Sequence, residues 1–152
     1  MKISHLLPIV ALSAGIAFVS GCGTPITHSS PLTKEQILLE PDVKAKDPVV
    51  FQKGLEEVRQ AGLRSLVAVG CEIKTEEPLF LAGVRPQKMG LFVGSGGETV
   101  KIFLYPQAAD VTQVWVDTDL SFVGMAGQQS WDKQVFQSLT GFLNMPTTEG
   151  TK

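Results

Sequence analysis

The chain has 152 residues, 43% hydrophobic and 18% charged, which fits one globular domain with extensions and leaves no room for two. Thirteen Lys and Arg against 15 Asp and Glu give a net charge of -2 and a pI near 5.7, so no basic field exists to hold a nucleic-acid backbone. Two Cys exclude a disulfide-dense scaffold.

Met1-Lys2 forms a charged start, and Ile3 to Val19 is an apolar run interrupted by His5 and Pro8. A membrane-spanning helix needs about 20 predominantly apolar residues, so this run reads as a cleaved export signal over residues 1–21. Val19-Ser20-Gly21-Cys22 resembles the lipobox of bacterial lipoproteins, in which small residues fit the signal peptidase and the cysteine thiol receives a diacylglyceryl group. The resemblance implies that Cys22 is the lipidation site and that membrane lipid is the first partner. Each buried methylene contributes about 0.8 kcal/mol, and more than one acyl chain makes the attachment stable. Gly23 follows the cysteine. Asp at that position resembles an inner-membrane retention signal in Gram-negative lipoproteins, so the resemblance implies the outer membrane. Without residues 1–21 the chain has 131 residues and a net charge of -3, enough to bury roughly two thirds of its unfolded surface. Once Cys22 is acylated, Cys71 is the remaining thiol, and its apolar run Leu66–Cys71 marks it as a small hydrophobe.

Gly23 to Pro31 has linker composition, and residues 22–32 read as a flexible tether. Thr33 and Gln36 form a capping-box pattern with Leu32 able to staple onto Ile37, predicting a helix through about Glu40 that Pro41 stops. Asp47-Pro48 reads as a second helix start, with Phe51, Leu55 and Val58 on one face and Gly62 as C-cap, giving a helix over 48–61. The nearly continuous apolar run Leu66 to Ile73 predicts a strand covered on both faces. Leu79 to Val84 predicts another. Gly90–Gly94 and Thr99–Tyr105 flank Ser95-Gly96-Gly97-Glu98 as a hairpin, with Pro106 ending its second arm and Val111–Val116 supplying a further antiparallel strand. Ser130 is the expected cap of a final helix carrying Trp131, Val135, Leu139 and Phe142 along one side. Residues 146–152 read as a disordered tail.

The order predicts an α+β domain over 33–145: an antiparallel sheet meander with N-terminal and C-terminal helices packed on one face. This architecture, and the strand-loop-helix ending over Val111–Leu143, resembles small accessory and uncharacterised proteobacterial envelope lipoproteins. The resemblance implies an interaction module with an envelope protein as partner and transfers no site residues.

Gly94-Ser95-Gly96-Gly97 lacks the Lys and the following helix of a phosphate loop and reads as a turn. Asp117 and Asp119 offer two carboxylates at a strand end, short of the six or more oxygens that calcium needs, and read as solvated acids. Beyond the signal, His28 in the tether is the single imidazole, which argues against triad catalysis and His-ligated zinc. The chain therefore reads as a non-enzyme with no metal and no cofactor. Alternation along the strands sends Val100, Ile102, Leu104, Thr112, Val114 and Val116 toward the helices. Phe103, Tyr105, Gln113, Trp115 and Asp117 then point the other way, onto a sheet face left without a helix. Exposed rings there suit a protein partner or a stacked sugar or small ligand, with Phe122 in the loop Ser121–Gln129 as a neighbouring contact.

Overall fold

The computed structural model describes residues 30–89, 94–120 and 129–145. Thr33 starts the first helix, α1 (Lys34–Ile37), through the expected capping box: its hydroxyl accepts from the Gln36 N–H at 3.3 Å, and Gln36 Oε1 accepts from the Thr33 N–H at 2.8 Å. Leu32 and Ile37 are both buried, so Leu32 belongs to the domain and not to the tether. Pro41 does more than stop α1. Its fixed φ suits a first helical position, and it opens α2 (Pro41–Lys44).

The helix expected over 48–61 is replaced by two elements. Val49–Phe51 form strand β1, and α3 runs Leu55–Ala68 with Gly54 as its N-cap. Asp47-Pro48 resembles a helix start locally, but Val49, Val50 and Phe51 suit a pleated surface and find a partner strand far along the chain. Gly62 is therefore inside α3, where a Cβ would stand 3.0 Å from Leu81 Cδ1; its bareness lets the helix lie close to the sheet. The left-handed residue after α3 is Gly70, with φ 83°. The strand expected over 66–73 is overturned with it. Leu66–Ala68 complete the helix, and β2 covers Glu72–Glu76.

β3 occupies Phe80–Val84, in agreement with the pattern. β4 (Lys88–Met89) and β5 (Gly94–Ser95) pair with each other as a small arm. The expected hairpin partnership of 90–94 with 99–105 is corrected at Gly94, which pairs with Met89 instead, and residues 90–93 lie outside the described residues. β6 (Thr99–Ala108) instead pairs with β3 and with β7 (Val111–Asp119). Pro106 does not end β6. β3 stops pairing at Phe103, so the missing N–H of Pro106 falls where no ladder bond is required on that side. α4 covers Asp132–Asn144. Trp131 is its N-cap in place of Ser130, whose hydroxyl accepts from the Asp132 N–H at 3.4 Å.

These strands form one antiparallel sheet in the order β1-β7-β6-β3-β2, so the α+β class holds. On one face Val58, Ala61 and Leu66 of α3 and Val135, Leu139 and Leu143 of α4 pack on Leu81, Val100, Ile102, Leu104, Val114 and Val116. The expectation that all helices share this face is corrected by a second core on the other, where Leu32, Ile37 and Val43 pack on Phe80, Ala82, Phe103 and Trp115. The domain is a three-layer sandwich. Among the described residues no helix is long and apolar enough to cross a membrane.

Candidate functional site

Alternation along β6 and β7 places Phe103, Tyr105, Trp115 and Asp117 on one face as expected, but not in solvent. Phe103 is 2% and Trp115 5% exposed. The residues before β1 cover them: Ile37 and Val43 supply apolar side chains to that layer, and the Trp115 indole N–H donates to the Lys46 carbonyl at 3.0 Å. Phe103 stands opposite both Trp115 and Phe80, with the Phe80 ring centroid 5.0 Å away at a tilt of 41°. Tyr105, at the rim of this layer, is half-buried under the Lys34 ammonium, 5.4 Å from its ring, which donates to the Pro106 carbonyl at 2.7 Å. The exposed aromatic patch is thus a second core, because two single-turn helices too short to stand out as amphipathic stretches lie across it. Phe122 and Cys22 lie outside the described residues.

Asp117 joins a charged network at the end of this layer. Lys101, flanked in sequence by Val100 and Ile102, is buried, and its ammonium pairs with Asp42 of α2 and Asp119 of β7, each at 2.6 Å, with Asp117 at 3.8 Å. Lys46 bridges Asp117 to Asp132 (2.7 Å) at the start of α4 and donates to the Val116 carbonyl at 3.1 Å. Thr118 donates to Asp132 at 2.6 Å and accepts from the Trp131 N–H at 3.0 Å. Burial pulls both lysines down, but hydrogen bonds and charge from their aspartates outweigh it, holding Lys46 and Lys101 above the ordinary lysine value. Burial pushes Asp132 up, yet Lys46 and Thr118 hold it below the ordinary carboxyl value. The acids read from sequence as solvated are therefore structural counter-ions that tie α2 and α4 to the sheet end. A lysine alone in the apolar β6 run was the sequence signal for this pairing.

A second polar cluster lies at the base of the β4–β5 arm. The Arg85 N–H donates to the Glu98 carbonyl (3.0 Å) and the Gly97 N–H to the Arg85 carbonyl (2.7 Å). Gly96 and Gly97, between β5 and β6, have φ 99° and 86°; a Cβ on Gly96 would stand 2.2 Å from the Pro86 carbonyl oxygen. The Arg85 guanidinium stacks 3.7 Å from the Trp131 ring centroid, and its Nε donates to the Val69 carbonyl at 3.1 Å. Glu98 is fully buried with Arg85 at 3.8 Å, and neither carboxylate oxygen has a hydrogen-bond partner among the described residues. Cys71 is a buried free thiol; burial pushes it up to about 11, with Arg85 lowering it and Glu98 raising it. Nothing in the sequence marked Arg85 and Glu98 as a pair, since the β3–β6 pairing that sets Val84 opposite Thr99 brings them together.

On the surface, Leu63, Arg64, Val67 and Ala68 of α3 and Phe142 of α4 line an open apolar groove of about 410 Å³. A more polar hollow of about 320 Å³ is lined by Leu55, Glu56, Arg59, Glu76, Glu77 and Pro78. Arg59 occupies its acids, pairing with Glu56 at 2.9 Å and Glu76 at 2.7 Å, and Glu77 accepts from the Leu32 N–H. Among the described residues no group of three or more His, Cys, Asp or Glu side chains is placed to hold a metal ion. Compared with protein-family models and with curated proteins, the chain matches none.

Proposed function

We propose that this is a lipid-anchored cell-envelope protein, attached through acylated Cys22 to the outer membrane with its α+β domain in the periplasm, and that the domain works by binding another envelope protein. The anchor reading rests on the sequence Val19-Ser20-Gly21-Cys22. Leu32, buried and held through its N–H to Glu77 at 3.1 Å, is an early fixed point of the domain. The ten residues 22–31 before it span at most about 35 Å when extended, which would keep the domain within that distance of the bilayer.

The observation that carries the binding reading is the open apolar groove between α3 and α4, where Val67 is 61% exposed. Shallow apolar surfaces of this kind suit a protein partner better than an enclosed small molecule. The glycan or small-ligand alternative has less support, because Trp115 is interior and Tyr105 lies under Lys34.

Two measurements test the proposal. Cys22→Ser should leave the protein unprocessed or release it from membranes, and a processed form still membrane-bound would overturn the anchor. In-cell photo-crosslinking from position 67, with exposed Lys133 as the control, should give a discrete protein adduct from 67 alone. Identical or absent adducts at both positions would overturn the contact.

A further inference from the structure

The two edges of the sheet are built differently. β2 presents Glu72, Lys74 and Glu76 in an exposed row and carries a register shift between Ile73 and Thr75, both of which discourage another strand from pairing. β1 has neither a charged row nor a register shift, and is blunted only by its three-residue length and the preceding Pro48. Its residues are Val49, Val50 and Phe51, and Val49 and Val50 are 38% and 47% exposed. It pairs on one side with β7 and is the terminal strand of the sheet on the other.

We propose that β1 is the self-association edge of this protein, pairing antiparallel with β1 of a second copy about Val50 and joining two five-stranded sheets into one. The sequence Asp47-Pro48-Val49-Val50-Phe51-Gln52-Lys53 is self-complementary about Val50. Antiparallel pairing centred on Val50 sets Val49 opposite Phe51 of the second copy and Asp47 opposite its Lys53, twice by symmetry. Opposite charges thus close both ends of an apolar centre. Asp47 has no ion pair among the described residues, and Lys53, in the bend between β1 and α3, pairs with Glu57 of its own chain. Phe51 packs against the main core while remaining half-exposed, so Val49 of the second copy would cover its open flank. Pro48 stands opposite Gln52, where its missing N–H removes one ladder bond at each end of the pairing.

The symmetry fits a surface-bound protein. Edge-to-edge antiparallel pairing has its two-fold axis perpendicular to the sheet, so both copies keep their α1–α2 layer on one side. Leu32 lies in that layer. Leu32 of both copies therefore lies on the same side of the joined sheet, so that two anchors could reach one bilayer. The edge itself does not depend on the anchor.

The test is in-cell thiol crosslinking of the full chain carrying Val50→Cys, with Lys74→Cys on the opposite edge as the control, read as a band at twice the monomer mass. Val50→Cys should give that band and Lys74→Cys should not. Adding Asp47→Lys should lower the yield at least five-fold by setting Lys against Lys, and Asp47→Lys with Lys53→Asp should restore it. Restoration excludes misfolding as the cause of the loss. Equal dimer from both edges, a Val50→Cys adduct with a different protein only, no adduct, or a yield indifferent to the charge reversal would each overturn the proposal.

Discussion

The Trp115 indole N–H donates to the Lys46 carbonyl at 3.0 Å, tying the middle of β7 to the segment between α2 and β1. That bond fixes the chain that covers the second sheet face. The Lys46 side chain then continues to Asp117 and Asp132, so one residue joins the covering segment, the sheet and α4. Trp115→Ala should cost about 3–5 kcal/mol, the range for deleting a large core ring. Urea denaturation checks this, and a variant of unchanged stability would show that the ring is not core.

Lys101→Met should destabilise the fold by about 3 kcal/mol, because it leaves Asp42, Asp117 and Asp119 clustered without their buried cation. Replacing Lys101 together with both of its 2.6 Å partners, as Lys101→Met with Asp42→Asn and Asp119→Asn, should recover part of that loss. The same denaturation series measures both.

The network also sets a pH dependence. Asp132 is held below its ordinary 3.8, so its contribution is complete above that unfolded value and is lost as pH falls through the lower folded value. Lys46 and Lys101 are held above 10.5, so theirs is complete below 10.5 and is lost as pH rises through the higher folded values. Thermal unfolding across pH should show no change from these groups between 3.8 and 10.5. Lys46→Met should flatten the acid limb below 3.8.

Cys71 should resist alkylation in the native protein at neutral pH, since burial has pushed its thiol up to about 11. Glu98→Gln removes a charge that raises it and should bring the alkylation midpoint down. Arg85→Met should move it up. A midpoint that ignores both changes would place the pair outside electrostatic reach of the thiol.

Glycines separate by what surrounds them. Gly141 lies inside α4 with nothing within 4 Å of an added Cβ, so Gly141→Ala should stabilise by about 0.5–1 kcal/mol through helix propensity. Gly96→Ala should destabilise by at least about 2 kcal/mol, since a positive φ and a 2.2 Å clash with the Pro86 carbonyl act together. Thermal melts of the two variants should move in opposite directions.

Residue pattern alone was sufficient for the α1 capping box, the extent of β3, the inward set Val100, Ile102, Leu104, Val114 and Val116, the amphipathic α4 and the α+β class, because each follows from a local period or cap. It misplaced α3 by seven residues. The run Phe51, Leu55, Val58 carries helical spacing across a strand and a loop, and only pairing with β7 decides that Val49–Phe51 are extended. It also left Phe103 and Trp115 on an open face. Whether a sheet face is bare depends on which distant segment lies on it, and residues 32–46 are held there by contacts 45 to 86 positions away. Alternation can say which side chains share a face; burial of that face is a property of packing between layers, and no local period encodes it.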